Sequence, residues 1–327
     1  MNNEIINQNT VRSEIPSLAI VVPCYNEAEA FSRGVTELSK VINDLIAKKK
    51  IKNDSYILFI DDGSTDNTWF QIKQAGEEML HVRGLKLSRN QGQRVAMLAG
   101  LTSINTDVSI SVDVDLQDDL NCIEQMIDKY MQGNEIVYGV RDDRSKDSIF
   151  KRNTANMFYK LINLMGVNHI PNHSEYRLLS KRAIHCLLEY KEQNLYIRGV
   201  LPLIGFKSDK VFYARQERID GQTKYSFFKL LSLAIEAITS FSVFPLRLIA
   251  ILGFGTCILA IISMFYGVIS KIGGFAVQGW SSLIISIFFL SGVQLLSLGV
   301  IGEYIGKIYI ETKQRPKFFI DETIGKF

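Results

Sequence analysis

Ser111-Val112-Asp113-Val114-Asp115-Leu116-Gln117-Asp118-Asp119 is the stretch around which the rest of the chain is read. The apolar-leaning run Val108–Val112 predicts a buried strand. It runs out into carboxylates at alternate positions, and if strand geometry persists, Asp113 and Asp115 point the same way. Carboxylates held together repel, burial sharpens the repulsion, and a cation between them relieves it. Mg2+ or Mn2+ shared with substrate phosphates suits such a pair. An acidic turn after an edge strand has the same local sequence, so the surroundings decide.

Upstream, Leu18–Val22 is a compact apolar run, predicted as the first strand, and Pro23-Cys24-Tyr25-Asn26-Glu27 stops it. A polar loop after a buried parallel strand is where open α/β sheets place ligands. Ala28–Lys50 carries Phe31, Val35, Leu38, Val41, Ile42 and Leu45 at helical spacing, and its lysine-rich end suits a helix C-terminus. Tyr56–Ile60 predicts a second strand, followed by Asp61-Asp62-Gly63-Ser64-Thr65-Asp66. Gly63 permits a tight turn, and Ser64, Thr65 and Asp66 are candidate caps for a helix beginning near Asn67. Gly84–Leu87 predicts a third strand, and Ser88-Arg89-Asn90-Gln91-Gly92-Gln93-Arg94 leads into a helix over Val95–Ile104. Arg89 and Arg94 could approach phosphate or form a plain solvated face. Strands and helices alternating in this way predict a βαβ domain with a polar cleft.

Downstream, Leu120–Met131 predicts a helix with Ile123, Met126 and Ile127 inward, and Glu135–Val140 predicts a strand. Arg141–Arg152 is a charged loop, either bent over a substrate or simply exposed. Asn153–Met165 and Ser180–Tyr190 predict helices, and between them Glu175 and Arg177 stand beside an apolar pair, Leu178 and Leu179. His169, His173 and His185 lack ligand spacing. Leu195–Lys207 is apolar but interrupted by Arg198, Gly199, Pro202 and Gly205, and could lie against the domain or a bilayer. Val211–Ala214 predicts a strand, after which Arg215, Arg218 and Lys224 suit phosphate, anionic lipid headgroups, or both.

The chain has 327 residues, 47% of them hydrophobic, and a formal charge of +3, which gives no reason to expect a nucleic-acid partner. Cys24, Cys122, Cys186 and Cys257 have no metal-like spacing and suit a reducing compartment. The first 17 residues are polar, so no secretory signal peptide is expected. Composition turns apolar near Ser232. Phe227–Phe244 is amphipathic and predicts a helix in the membrane interface. Leu246–Ile269 and Trp280–Gly302 are long enough to span a bilayer as a hairpin. Lys224, Lys229 and Arg247 precede or begin the first span, Lys307, Lys313, Arg315 and Lys317 follow the second, and only Lys271 lies between. That bias places the large domain and both termini on the cytoplasmic side of an inner membrane. The expected organisation is a flexible segment 1–17, a catalytic domain 18–226, an interfacial helix 227–244, a two-helix hairpin 245–306 and a cytoplasmic tail 307–327.

In order along residues 18–310, these strings resemble the family-two glycosyltransferases of the GT-A fold. They resemble most the polyprenyl-phosphate branch, which includes dolichyl-phosphate mannose synthases and bacterial bactoprenol (undecaprenyl-phosphate) glucosyltransferases. Val21–Glu27 resembles the opening motif, Asp61–Thr68 the nucleotide loop, Ser88–Gly92 the third motif and Asp113–Asp118 the metal motif. The resemblance implies an α/β, Rossmann-like nucleotide-sugar domain with a mostly parallel sheet. Pro23, Tyr25, Asn26, Glu27, Asp61, Asp62, Gly63, Arg89 and Gly92 would surround the donor, with Asp62 on base or ribose. Asp113 and Asp115 would hold Mg2+ or Mn2+ and the diphosphate. Asp115 or Asp118 would orient the acceptor, and Arg177, Arg215, Arg218 and Lys224 would lie near donor or acceptor phosphate. Two departures stand out: Asp119–Leu120 where the family often has a prolyl pair, and Glu175-Tyr176-Arg177 where it often has Asp-Phe-Arg. The implied reaction is inverting transfer of a hexose, glucose from UDP-glucose, to undecaprenyl phosphate at the cytoplasmic face, by a chain open to homo-oligomerisation. The alternatives are another sugar such as an N-acetylhexosamine, a processive polysaccharide synthase, and a nucleotide-binding scaffold without transfer.

Overall fold

Strand β1 (Leu18–Cys24) is buried along its whole length, as a strand covered on both faces must be. In the computed structural model, which describes residues 11–141, 173–214, 244–273 and 279–325, it lies within one eight-stranded sheet. β2 (Tyr56–Asp61) pairs with β1 in parallel on one side, and β3 (Val82–Leu87) continues in parallel beyond it. β4 (Val108–Ser111) pairs with β1 in parallel on the other side. The chain thus moves outward through two strands and returns to start the opposite wing. That reversal opens a crevice at the carboxyl ends of β1 and β4, where such sheets bind ligands.

The remaining strands widen this frame. β6 (His173–Ser180) runs antiparallel between β4 and β5 (Ile136–Arg141), and β7 (Ser208–Tyr213) lies parallel to β5 at that edge. At the far edge β8 (Ile320–Ile324) runs antiparallel to β3.

The helices cover both faces. α1 (Ala28–Ala47) buries Phe31, Val35, Leu38, Ile42 and Leu45, the stripe its periodicity predicts. With α2 (Thr68–Glu78) and α4 (Cys122–Met131) it packs one face of the sheet around Ile20, Val22, Phe59 and Ile110. α3 (Gln93–Ser103) and α5 (Lys181–Leu188) cover the other face, around Val21, Leu58, Ile60 and Leu85. Ser180 caps α5 by accepting from the Ala183 amide at 3.1 Å. Leu195–Lys207 lies against the domain, because Leu195, Ile197, Val200 and Leu201 bury into this second cluster around the short helix α6 (Ile197–Val200).

The structure differs from the sequence reading at particular places. β6 and β8 are strands that periodicity did not indicate. α1 ends at Ala47, so the lysines lie past its last turn. β4 ends at Ser111 and does not carry through the acids. α7 (Phe244–Ile272) and α8 (Trp280–Thr312) contain both expected spans, over 29 and 33 residues. Among the described residues, Phe289–Thr312 is the segment long and apolar enough to cross a membrane, and Leu246–Thr256 is a shorter apolar run. The expected tail from residue 307 continues α8 to Thr312, and its later part joins the sheet as β8, in the same compact unit as β1. The charged loop from residue 142, the helix over 153–165, the basic group Arg215, Arg218 and Lys224, and the interfacial helix up to residue 243 lie outside the described residues.

Candidate active site

Three loops meet at the carboxyl ends of β1, β2 and β3. Asn26 takes a left-handed φ of 53°, which asparagine tolerates better than most residues. Its side chain accepts from the Thr65 amide at 2.9 Å, and its own amide donates to Ser64 Oγ at 2.9 Å. Asp66 accepts from the Thr68 amide at 2.9 Å and from the Ala28 amide at 3.2 Å, so one carboxylate serves the first turns of both α1 and α2. Although burial opposes it, these hydrogen bonds hold the Asp66 carboxyl below its ordinary range. Glu27 donates its amide to Thr68 Oγ1. Tyr25 is exposed at the rim.

Asp62 ties the third loop to the other two. Its two carboxylate oxygens accept from the Gln91 and Gly92 amides, each at 2.8 Å. Gly63 has φ +67°, and a Cβ there would sit 2.6 Å from the Arg89 carbonyl carbon and the Asn90 nitrogen. Only glycine lets these backbones touch. Gly92, at φ +90°, then turns the chain into α3. Asp61 is fully buried; one oxygen accepts from the Ser64 amide at 3.2 Å, and Oδ1 has no hydrogen-bond partner among the described residues. Desolvation pushes its pKa up, as it does that of Asp62. Cys24, at the end of β1, is buried with its thiol pKa well raised, chiefly by desolvation, and so is a core thiol rather than a nucleophile.

The acidic stretch is a turn. The Leu116 amide donates to the Asp113 carbonyl at 3.2 Å, and Leu116 holds φ +50°. That conformation is costly for a branched residue, and burial of the Leu116 side chain in the core offsets it. The alternation expected of a continuing strand therefore does not apply; the turn sets the carboxylates instead. Each has its own donor. Gln93 Nε2, from the first turn of α3, donates to Asp113 Oδ1 at 2.7 Å. Gln117 Nε2 donates to Asp115 Oδ2 at 2.6 Å. The Tyr213 hydroxyl, at the end of β7, donates to Asp118 Oδ1 at 2.6 Å, and Arg141 Nη2 lies 3.6 Å from the same oxygen. Asp113 is pushed up to about 6, first by burial and then by Asp118 and Asp115.

Arg177 forms the floor. It is 1% exposed, on β6, with Ser111 of β4 and Tyr138 of β5 as its register partners. It faces Glu175 as an ion pair, though neither terminal nitrogen has a hydrogen bond of sound geometry among the described residues. Glu175 Oε1 also accepts from Arg198 Nε at 2.7 Å. Burial, then Arg198, pulls the Arg177 pKa down to about 9.

The sequence profile of "Glycosyl transferase family 2" matches residues 19–196, from β1 to the start of α6. The chain belongs to glycosyl transferase family 2. It is therefore a glycosyltransferase, and its α/β sandwich with a mostly parallel sheet is the GT-A fold. It is 49% identical to an uncharacterized glycosyltransferase, YkoT, of Bacillus subtilis (strain 168), over 94% of this chain and 91% of that one. It is 40% identical to a prophage bactoprenol glucosyl transferase homolog of Escherichia coli (strain K12), over 93% of this chain and 98% of that one. Among solved structures it is similar to a mannosyltransferase of Pyrobaculum calidifontis in complex with GDP-Man and Mn2+, with a TM-score of 0.44, 13% identity, and coverage of 95% and 92%.

Within this family-2 glycosyltransferase, the predicted residues separate into groups. Tyr25, Asn26, Glu27, Asp62, Gly63, Arg89 and Gly92 belong to the three joined loops, with Arg89 exposed, while Pro23 and Asp61 lie in the last residues of β1 and β2 that lead into them. Asp62 grips the third loop through both carboxylate oxygens, each accepting one backbone amide. Asp113, Asp115 and Asp118 share the acidic turn. Arg177 sits beneath the site rather than at its surface. Gln93, Gln117, Arg141, Tyr213 and Arg198 were not singled out. Gln93 and Gln117 stand inside or beside motifs and carried a local signal. Tyr213 is 95 residues from Asp118 in sequence and carried none.

Proposed function

We propose that this glycosyltransferase transfers a hexose, glucose from UDP-glucose, to a polyprenyl phosphate at the cytoplasmic membrane face, with inversion. The observation that carries the reading is the gathering of Asp113, Asp115 and Asp118 in one turn at the sheet's switch point, with Gln93, Gln117 and Tyr213 each donating to one of them. Half-buried Asp113, crowded by Asp118 and Asp115, is a place where positive charge relieves repulsion. Among the described residues no three acidic, histidine or cysteine side chains form a complete cage. One or two carboxylates completed by substrate phosphate oxygens is how proteins commonly hold Mg2+, and hard oxygen donors suit Mg2+ or Mn2+. Asp113 and Asp115 would hold such a cation. When bound there, it would neutralise charge growing on the leaving diphosphate.

The acceptor is a phosphate monoester, largely dianionic near neutral pH, so its oxygen can attack the anomeric carbon without a strong base. The new bond to that carbon forms as the bond to the diphosphate breaks, and the electron pair leaves with the nucleotide. Gln93, Gln117 and Tyr213 hold the acids in place, and Arg141 adds charge beside Asp118. The three joined loops would embrace the nucleoside, and Arg215, Arg218 and Lys224 would meet phosphate. Support for the lipid acceptor and for glucose comes from the E. coli relative named as a bactoprenol glucosyl transferase homolog. The membrane hairpin, with both termini cytoplasmic, is part of the same proposal, supported by the apolar segment Phe289–Thr312.

The test offers purified full-length protein a panel of labelled nucleotide sugars with undecaprenyl phosphate, and reads the anomeric configuration of the product. UDP-glucose should be the best donor, and the product should be the β-linked glucosyl lipid phosphate. A retained configuration would reject direct displacement, and preference for another sugar would replace glucose.

A further inference from the structure

A cavity of about 320 Å³ opens beside the start of α3, within the range of small-ligand sites. Its lining is two-sided. Arg94 and Lys317 contribute cations and Gln93 a carboxamide, while Leu98, Leu195 and Ile197 form an apolar wall. Among the described residues its lining includes no acidic side chain. Gln93 connects it to the chemistry, since the same side chain donates to Asp113 at 2.7 Å.

Lys317 is brought there by a built device. It belongs to the segment between α8 and β8, which is pinned on both sides of it. Gln193 Nε2 donates to the Arg315 carbonyl at 2.8 Å, and the Ser88 amide, at the head of the third motif, donates to the Phe319 carbonyl at 3.0 Å. Phe318 packs on the apolar cluster under α3, and β8 then locks the segment to β3. The C-terminal segment thus forms one wall of a cavity adjoining the acids.

We propose that this cavity holds the acceptor, its phosphate monoester between Arg94 and Lys317 and its first isoprene unit on the apolar wall. The inference rests on the reaction proposed above and assigns the acceptor a subsite within it. A guanidinium fork and an ammonium suit a phosphate dianion. A branched hydrocarbon attached to that phosphate suits Leu98, Leu195 and Ile197. Gln91 and Gly92 of the third loop also line the cavity, so it adjoins the donor loops; a nucleoside diphosphate carries phosphate too, but it has no hydrocarbon to set against the apolar wall.

The experiment measures steady-state transfer by full-length protein in nanodiscs, varying undecaprenyl phosphate and UDP-glucose separately. Arg94→Ala and Lys317→Ala should each raise KM for the lipid at least tenfold and leave KM for UDP-glucose within twofold. Lys317→Arg should stay near wild type. Farnesyl phosphate should compete with the lipid in wild type and lose at least tenfold in inhibition in Lys317→Ala, whereas inorganic phosphate should inhibit far more weakly. An unchanged lipid KM in an active variant overturns the inference alone, and so does a rise in KM for UDP-glucose instead. Should Lys317→Ala unfold, farnesyl phosphate that fails to compete with the lipid in wild type overturns it equally. A folded wild type that transfers no sugar to any polyprenyl phosphate overturns the reaction and the subsite together.

Discussion

Asp113 pays for its position: its carboxyl is pushed up to about 6 where a free aspartate titrates near 4. A raised folded-state pKa gives stability that is fully present below pH ~4 and is lost as pH rises through about 6. The metal-free wild type should therefore be less stable than Asp113→Asn at pH 7.5, by about 1–3 kcal/mol, with the difference vanishing near pH 4. Denaturant melts at the two pH values check this, and a variant no more stable than wild type at pH 7.5 would contradict it. The same variant should lose transfer by a factor on the order of 10²–10³. In the metal-free wild type, affinity for Mg2+ or Mn2+ should weaken below pH ~6, where Asp113 takes up a proton that the cation must displace. Gly63 is the second decisive residue. Gly63→Ala puts a Cβ 2.6 Å from the backbone of Arg89 and Asn90 at a positive φ. We expect a loss of about 1–3 kcal/mol in denaturant titrations, with weaker donor binding as the loops part.

Among elements, β8 is the one whose loss should be most visible. Ile324 lies over Gly76 and Gly84, where a Cβ would come within 2.7 Å and 3.4 Å of its side chain. Trp69 Nε1 donates to Glu322, and Lys86 pairs with Asp321. Ending the chain at Gln314 should lower the melting temperature and, by baring the β3 edge, promote association measurable by light scattering. Ile324→Ala alone should cost about 1–2 kcal/mol. β8 was not legible beforehand because Ile320-Asp321-Glu322-Thr323-Ile324 has no apolar face of its own and gains strand character only from β3. β6 was hidden for a related reason. Its alternate residues Glu175 and Arg177 are charged, and Glu175, facing Arg177 and accepting from Arg198, is the countercharge that makes burial of the arginine tolerable. β1, β2 and α1 were legible because each carries its own period or apolar run. The three loops were legible as motifs, but Asp62's grip on the third loop was not, since its partners lie 29 and 30 residues away.

At the scale of the molecule, the GT-A sheet has its own two apolar clusters, one on each face, while α7 and α8 expose leucine, isoleucine and phenylalanine along their length. Exposed apolar helices of that length need lipid or protein cover. The full chain should therefore sediment with membranes, resist extraction by high salt or alkaline carbonate, and dissolve only in detergent; release by carbonate would count against a spanning hairpin. The central claim joins the acids, a sugar donor and a lipid phosphate in one reaction. Its most direct measurement is glucose transfer from labelled UDP-glucose to undecaprenyl phosphate by the full-length protein in nanodiscs, with and without Mg2+ or Mn2+. Labelled glucosyl lipid that forms with the cation, stops on chelation and returns when the metal is restored is the predicted result. Transfer that persists undiminished after complete chelation, or no glucosyl lipid from folded protein with metal present, would contradict the account.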